Sequence, residues 1–304
     1  MSLRIVVCVK YVPDATGDRQ FTEDLTVNRD DVDGLLSELD EYAVEQALQI
    51  ADEADDAEIT VLTVGPEDAK DALRKALSMG ADKAVHVEDD DLHGTDVMGT
   101  SLVLAKAIEK VGYDLVITGM ASTDGTMGVL PAILAERLGV PQVTLLSEVK
   151  VEDGTVTGRR DGDTASEQLE ASLPALVSVT DQSGEARYPS FKGIMAAKKK
   201  PVESWDLEDL EIESDEVGLE APGPRWTPRR SARRAPPARS SRTRARAASS
   251  WPSSWPARSS SKSFGHPPQS PQTLRNSRRA VPWLKFSSTS TTWTVPSASP
   301  PSSC

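Results

Sequence analysis

Between Leu3 and Leu146 five short apolar runs alternate with amphipathic stretches, and that alternation admits few folds. The runs are LRIVVCVKYV, EITVLTV, KAVHV, DLVIT and PQVTLL. The first is apolar without alternation, as a strand is when both of its faces are covered. After it, SELDEYAVEQALQIADE places Ala43, Ala47, Ile50 and Ala54 on one stripe. Ser37 stands there as N-cap, with Asp40 three residues on as a variant capping box. PEDAKDALRKALSMG puts Ala69, Leu73, Ala76 and Leu77 on one face and ends at Gly80. GTDVMGTSLVLAKAIEKVG gives a third helix. A fourth, starting near Thr126, carries Leu130, Ile133, Leu134 and Leu138 and ends at Gly139. The pattern predicts an α/β fold: a five-stranded or larger parallel doubly wound sheet of Rossmann-like, adenine-nucleotide-binding type with right-handed crossovers. SEVKVEDGTVTGRR reads as a hairpin through Asp153-Gly154. ASEQLEASLPALVSVT adds further strands, so a short antiparallel β extension follows the sheet. A small hairpin is expected at Phe21–Asn28.

Charge divides the chain in two. All 47 Asp and Glu precede Ala221, and 15 of the 34 Lys and Arg follow Glu220, so the first 220 residues carry 47 acids against 19 bases. A body this acidic repels nucleic acid and anionic membrane, and it suits a high-salt cytoplasm. No apolar run approaches the roughly 20 residues of a membrane span, which argues against direct membrane insertion. The start shows no signal-peptide cleavage pattern. Cys8 and Cys304 are the only cysteines and indicate no disulfide framework. A cytoplasmic location is expected. From about Ala221 the text turns to Arg, Ser, Pro, Ala and Trp, without hydrophobic period. Two readings fit: a basic arm, or translation of a GC-rich gene out of frame. The loss of every carboxylate favours the second, and either composition predicts disorder.

Ligands of open α/β sheets bind beyond the carboxyl ends of the strands, where the chain order reverses. With the five runs ordered 3-2-1-4-5, that point lies between the first and fourth, at Cys8–Tyr11 and Gly119–Met127. The loop GMASTDGTM is small, hydroxyl-bearing and glycine-rich. A helix starting near Thr126 turns its amides toward the crevice, with Ser122, Thr123 and Thr126 beside it, which suits a phosphate. Thr63-Val64-Gly65, at the end of the second strand, offers backbone beside an adenine-sized gap. A glycine-rich turn that only lets helix and strand approach is the competing reading. GxGxxG after the first strand is absent, as are GxSxG and a clustered Cys/His metal pattern. His86 reads as a core or edge histidine, His93 as solvated, and the run Glu88–Asp91 as a solvated loop. Asp124 either orients a ribose or a phosphate-bound water, or caps the following helix.

DEYAVEQAL (Asp40–Leu48), VGP (Val64–Pro66), ALSMGADKAVHV (Ala76–Val87), DLVITGMASTDG (Asp114–Gly125) and ARYPSFKGIMAAKKKP (Ala186–Pro201) occur in this order. Together they resemble the β subunit of electron-transfer flavoprotein over about residues 3–212. The resemblance implies a heterodimer with an electron-transfer flavoprotein α subunit that holds most of the FAD. It also implies an AMP bound structurally in this chain, or a second FAD in the bifurcating branch. Carried over residue by residue, the nucleotide site comprises Cys8, Ser37, Glu38, Leu39, Asp40, Val64, Gly119, Met120, Ala121, Ser122, Thr123, Asp124, Gly125, Thr126 and Met127. The family often has Asn-Pro where Ser37-Glu38 stands, and the loop here is shorter. RYPSFKGIMAAKKK resembles the family's recognition loop, with Phe191 as its projecting hydrophobic residue; packing of Phe191 onto its own loop is the alternative. Lys198, Lys199 and Lys200 form the densest positive patch and either contact an acidic partner or are solvated.

The implied function is an electron carrier in fatty acid oxidation rather than a bond-making enzyme. It would accept electrons from flavin dehydrogenases such as acyl-CoA dehydrogenases and deliver them to a quinone reductase. A stand-alone nucleotide-binding stress-type protein is the reading from another class; it has no use for the recognition loop. The expected organisation is a nucleotide-binding α/β domain with its antiparallel extension at 1–182, a recognition loop and the start of a C-terminal arm at 183–220, and a disordered basic tail at 221–304.

Overall fold

The computed structural model describes residues 2–17, 20–23, 26–29, 32–219 and 221. These belong to one compact unit, Met1–Arg233. The tail reading, with His266 and Cys304, lies outside the described residues except at Ala221.

β1 (Leu3–Cys8) occupies the middle of a parallel sheet. Its side chains alternate between two covered faces, which is why its sequence shows no polar alternation. Ile5 and Val7 enter one core with residues of α1 (Glu38–Glu53) and α2 (Lys70–Met79). Val6 and Cys8 enter the other with residues of α3 (Val97–Val111) and α4 (Leu130–Leu138). Each fully buried Val, Leu or Ile contributes about 1.5–3 kcal/mol. The helix stripes supply the facing surfaces: Ala43, Ala47 and Ile50 from α1, Leu73, Ala76 and Leu77 from α2.

β2 (Tyr11–Pro13) and β3 (Gly34–Leu36) form a small antiparallel ribbon between β1 and α1. Within the intervening excursion Phe21 bridges Val27 in antiparallel fashion, inside the predicted hairpin. The remaining sheet strands are β4 (Ala57–Val64), β5 (Lys83–Val87), β6 (Leu115–Gly119), β7 (Gln142–Leu146), β11 (Ala175–Val179) and β12 (Val202–Trp205). The order is β12-β5-β4-β1-β6-β11-β7. Reversal between β1 and β6 falls where the order 3-2-1-4-5 puts it. β8 (Glu148–Glu152), β9 (Thr155–Asp161) and β10 (Ser166–Ser172) make the expected antiparallel sheet.

Two strands differ from expectation. ALVSV does not extend the antiparallel run; as β11 it inserts between β6 and β7, parallel to both. All five of its residues are buried, and an apolar run without alternation is what a strand between two covered faces requires. β12, which carries no apolar period, adds a parallel edge beside β5.

The helices differ in detail as well. Ser37 holds the N-cap position of α1, but its side chain accepts no capping hydrogen bond. Asp40 is committed elsewhere. The fourth helix begins at Leu130 rather than near Thr126, with Pro131 in its first turn; φ of +56° at Thr126 and +63° at Gly128 interrupts the helical path. At the far end α5 (Phe191–Ala197) packs on α2, and Gly193 is required there because a Cβ would stand 2.5 Å from the Ser78 carbonyl oxygen.

Lys200 stitches this corner. Its Nζ donates to the carbonyls of Leu77 (3.1 Å), Gly80 (3.0 Å) and Ala81 (2.6 Å) at the C-terminus of α2. A cation there also meets the negative end of the helix dipole. Lys200→Met keeps the aliphatic stem and removes all three bonds, so a urea melt should show a loss of about 1–3 kcal/mol. An unchanged midpoint would show that water satisfies these carbonyls equally well.

Candidate nucleotide cleft at the sheet reversal

A cleft of about 280 Å³ opens at the carboxyl ends of β1 and β6. Its size lies near the lower end of the roughly 300–1,000 Å³ typical of ligand pockets. One wall is Lys10 and Asp40, the floor is Thr118 and Gly119, and the loop Ala121–Val129 lies over it. Thr95, Asp96, Val97 and Thr100 bring the N-terminus of α3, and Leu130 and Pro131 that of α4.

The closest packing is at Gly119. A Cβ there would lie 2.8 Å from the Leu39 carbonyl oxygen and 2.5 Å from Asp40 Oδ1. Only glycine lets the first turn of α1 rest on the end of β6. Asp40 Oδ2 then accepts the Lys10 amide at 2.9 Å, and the Ser37 amide donates to the Lys10 carbonyl at 2.9 Å. Burial raises the Asp40 carboxyl to about 7, against the opposing pull of the Lys10 amide and ammonium and the Gly119 amide.

The loop is held from below by Asp124, whose side chain is 2% exposed. Its carboxylate accepts from Lys10 Nζ at 2.9 Å, Arg29 Nη2 at 2.6 Å and the Gly125 amide at 2.6 Å. Burial alone would raise its pKa, but the Lys10 and Arg29 cations hold it well below the usual carboxylate range. Ser122 Oγ accepts the Gly125 amide at 3.2 Å. Thr126, a β-branched residue at φ +56°, is in a conformation such residues seldom adopt, and strain of this kind collects in ligand loops.

Six of the residues singled out from sequence line the cleft: Asp40, Gly119, Ala121, Ser122, Gly125 and Met127. Leu39 contributes its backbone at Gly119, and Asp124 lies beneath. Cys8 is buried in the core, where burial first and Asp40 second push its thiol up to about 12. Val64 packs half-buried against that same core, and the Glu38 side chain is exposed. Met120, Thr123 and Thr126 are loop residues that do not line the cleft. The helix presenting a well-capped N-terminus is α3, where Asp96 accepts the amides of Met98 (2.8 Å) and Gly99 (2.9 Å). Lys10 falls within the predicted crevice span Cys8–Tyr11, whereas Arg29, Thr118 and the Thr95–Thr100 stretch lie outside the site residues the sequence marks. A charge two residues beyond the first strand was the available signal for Lys10.

The lining suits a small phosphorylated ligand. Lys10 supplies a cation, Gly119 lets the backbone come close, and of the five buried hydroxyls without a protein partner among the described residues (Ser37, Thr63, Thr118, Thr123 and Ser183) Thr118 lines the cleft. A polar group so buried ordinarily finds a ligand or an ordered water.

A second surface lies on the other side of α1. Arg187 pairs with Glu45 (Nε–Oε2 2.8 Å, Nη2–Oε1 3.1 Å) and with Asp52 (3.0 Å), and Gln46 Nε2 donates to the Ser183 carbonyl at 2.9 Å. These contacts seat the segment before α5. Phe191 is 81% exposed and Tyr188 94%, with Ile194 and Met195 also exposed, so Phe191 does not pack back on its loop. Lys198 and Lys199 are exposed; Lys200 is spent on α2. His86 is buried with Nε2 2.9 Å from the Gly65 carbonyl oxygen, and His93 is exposed. Asp89 is not merely solvated: it accepts the Asp91 amide at 3.0 Å and the Leu207 amide at 3.3 Å. Among the described residues no helix is long and apolar enough to cross a membrane.

The chain is similar to known proteins over most of its described length. The family described as "Electron transfer flavoprotein domain" matches residues 24–210. An "Electron transfer flavoprotein subunit beta" from Mycobacterium tuberculosis is 53% identical over 221 residues, which are 71% of this chain and 83% of the relative. The "Caffeyl-CoA reductase-Etf complex subunit CarD" of Acetobacterium woodii is 36% identical over 220 residues, 72% of this chain and 84% of the relative. The Megasphaera elsdenii "Electron transfer flavoprotein subunit beta" is 33% identical over 224 residues, 71% of this chain and 83% of the relative.

Asp40 offers a pH test. The folded carboxyl titrates near 7 and the ordinary value is 3.8, so between the two the folded state holds an extra proton. This group's contribution therefore lowers stability as pH rises through that window and is constant above it. Asp40→Asn keeps an acceptor for the Lys10 amide and removes the decline. The melting-temperature difference, variant minus parent, should grow from pH 4 to pH 7. A difference independent of pH would show that Asp40 is ionised throughout.

Proposed function

From its place as a β subunit of the electron transfer flavoprotein family, to which this chain belongs, we propose that it acts as an electron carrier with AMP bound in the cleft as a structural ligand. It pairs with an electron-transfer flavoprotein α subunit and contributes to the surroundings of the FAD held mainly there. The single observation carrying the AMP assignment is the cleft between β1 and β6: about 280 Å³, with one cation, Lys10, and the hydroxyl-bearing residues Thr95, Thr100, Thr118 and Ser122 in its lining. FAD supplies the redox chemistry when bound. The residues of this chain orient and enclose; Cys8 lies in the core with its thiol raised to about 12 and is not placed as a nucleophile.

Electrons enter, in this reading, from flavin dehydrogenases such as acyl-CoA dehydrogenases docked at α5, and leave to a quinone reductase. Phe191 is the hydrophobic anchor and Lys198 and Lys199 the flanking charges. An exposed aromatic within a small patch suits a transient interface, where few residues carry the affinity. A second reading, a second FAD in place of AMP, is favoured by one feature: Gly125–Val129, the outer wall of the cleft, is exposed, so a longer dinucleotide could continue past it.

Nucleotide extracted from the purified heterodimer separates the two. One FAD and one AMP per heterodimer are expected, and two flavins would overturn the AMP assignment. Docking is tested independently. Phe191→Ala should slow electron transfer from a dehydrogenase by about tenfold or more, the scale of a hot-spot truncation, while flavin content stays at the parent level. An unaltered rate would remove Phe191 from the interface.

A further inference from the structure

Two cations meet the buried Asp124 carboxylate, and they are placed differently. Lys10 lines the cleft with 42% of its side chain exposed, its Nζ 2.9 Å from Asp124 Oδ1 and 3.5 Å from Ser122 Oγ. Arg29 comes from the excursion between β2 and β3 and does not line the cleft. Its Nη2 lies 2.6 Å from Asp124 Oδ2, and its Nη1 donates to the Tyr11 carbonyl at 3.4 Å.

The charge balance follows from this arrangement. Asp124 paired with Lys10 alone would cancel the ammonium, leaving nothing for an anion. Arg29 matches the carboxylate from its other oxygen, so the three side chains together carry one net positive charge, and the exposed member is Lys10. The carboxylates that line the cleft are turned onto backbone amides: Asp96 onto Met98 and Gly99, Asp40 onto Lys10. Partial positive charge on those amides offsets them locally.

We propose that Arg29 is a positioning residue that neutralises Asp124 and so leaves the Lys10 ammonium to bind the phosphate of a nucleoside monophosphate. This rests on the mononucleotide reading of the cleft. Arg29 acts through Lys10 and touches no part of the ligand, so its removal affects the phosphate and spares the base and sugar.

The test uses the full-length chain, cleared of endogenous nucleotide over charcoal and titrated calorimetrically with AMP and with adenosine. Arg29→Gln should weaken AMP binding by about tenfold, the order expected for one charge acting at short range near a protein surface, and leave adenosine binding at the parent level. The double variant Arg29→Gln with Asp124→Asn removes both charges and should restore AMP affinity. Arg29→Lys, which keeps the cation with less disturbance of the fold, should bind AMP like the parent. Unchanged AMP affinity in Arg29→Gln, equal losses for AMP and adenosine, or no restoration in the double variant would overturn the inference. Failure of the parent chain to bind AMP would overturn the mononucleotide reading itself, whereas AMP binding with an unmoved AMP-to-adenosine ratio overturns the role of Arg29 alone.

Discussion

The missing side chain at Gly119 determines the geometry of the cleft. Because no Cβ stands there, the first turn of α1 lies against the end of β6, with the Leu39 carbonyl and the Asp40 carboxyl in the space a methyl would fill. Asp40 fixes the Lys10 amide, and the Lys10 ammonium reaches Asp124. Asp124 in turn holds the Gly125 amide and so the turn of the loop. A chain of short polar contacts thus runs from a central strand, through a helix terminus, to the loop over the cleft. Asp40 and Asp124 are buried enough that removing a donor leaves a carboxylate unsatisfied, which costs more than the bond itself contributes.

The same helix serves both candidate sites. The N-terminal turn of α1 forms a wall of the cleft, while Glu45, Gln46 and Asp52 farther along hold Arg187 and Ser183. Phe191 and Tyr188 project from the segment so fixed. A carrier that must pass electrons between partners gains from such a frame, because electron transfer demands position rather than bond making.

What was legible in the sequence follows from how local each signal is. Periodicity and turn residues reported β1, β4, β5, β6 and β7 and the helices between them, and the reversal between β1 and β6 followed from strand order. ALVSV was assigned to the antiparallel run because proximity in sequence is a weak guide to which edge or gap a strand fills; its lack of alternation, the same mark that identified β1, pointed to a covered position. The start of α4 was misplaced because hydrophobic period cannot show that Thr126 and Gly128 adopt positive φ. Arg29 carries no mark in the sequence, and Lys10 is marked only as part of the span Cys8–Tyr11, for a different reason. A cation near a strand end is common, and only the fold brings residues 10, 29 and 124 together. Lys200 looked like part of a surface cluster, yet three carbonyls of α2 and the turn after it claim its ammonium.

That last case reflects a general economy of charge in this body. With 47 acids against 19 bases in the first 220 residues, a cation has many competing partners, and where it goes depends on geometry rather than on sign. Arg187 is taken by Glu45 and Asp52, Lys200 by the end of α2, Arg29 by Asp124. Each of these ties a loop to another part of the fold, so positive charge is used to fasten loops. Lys10 differs because its carboxylate is already shared with Arg29, and Lys198 and Lys199 differ because α5 ends beside them and leaves them exposed. Among the described residues, Lys10 at the cleft and Lys198 and Lys199 beside Phe191 are cations left accessible where the packing also leaves room for a ligand or a partner.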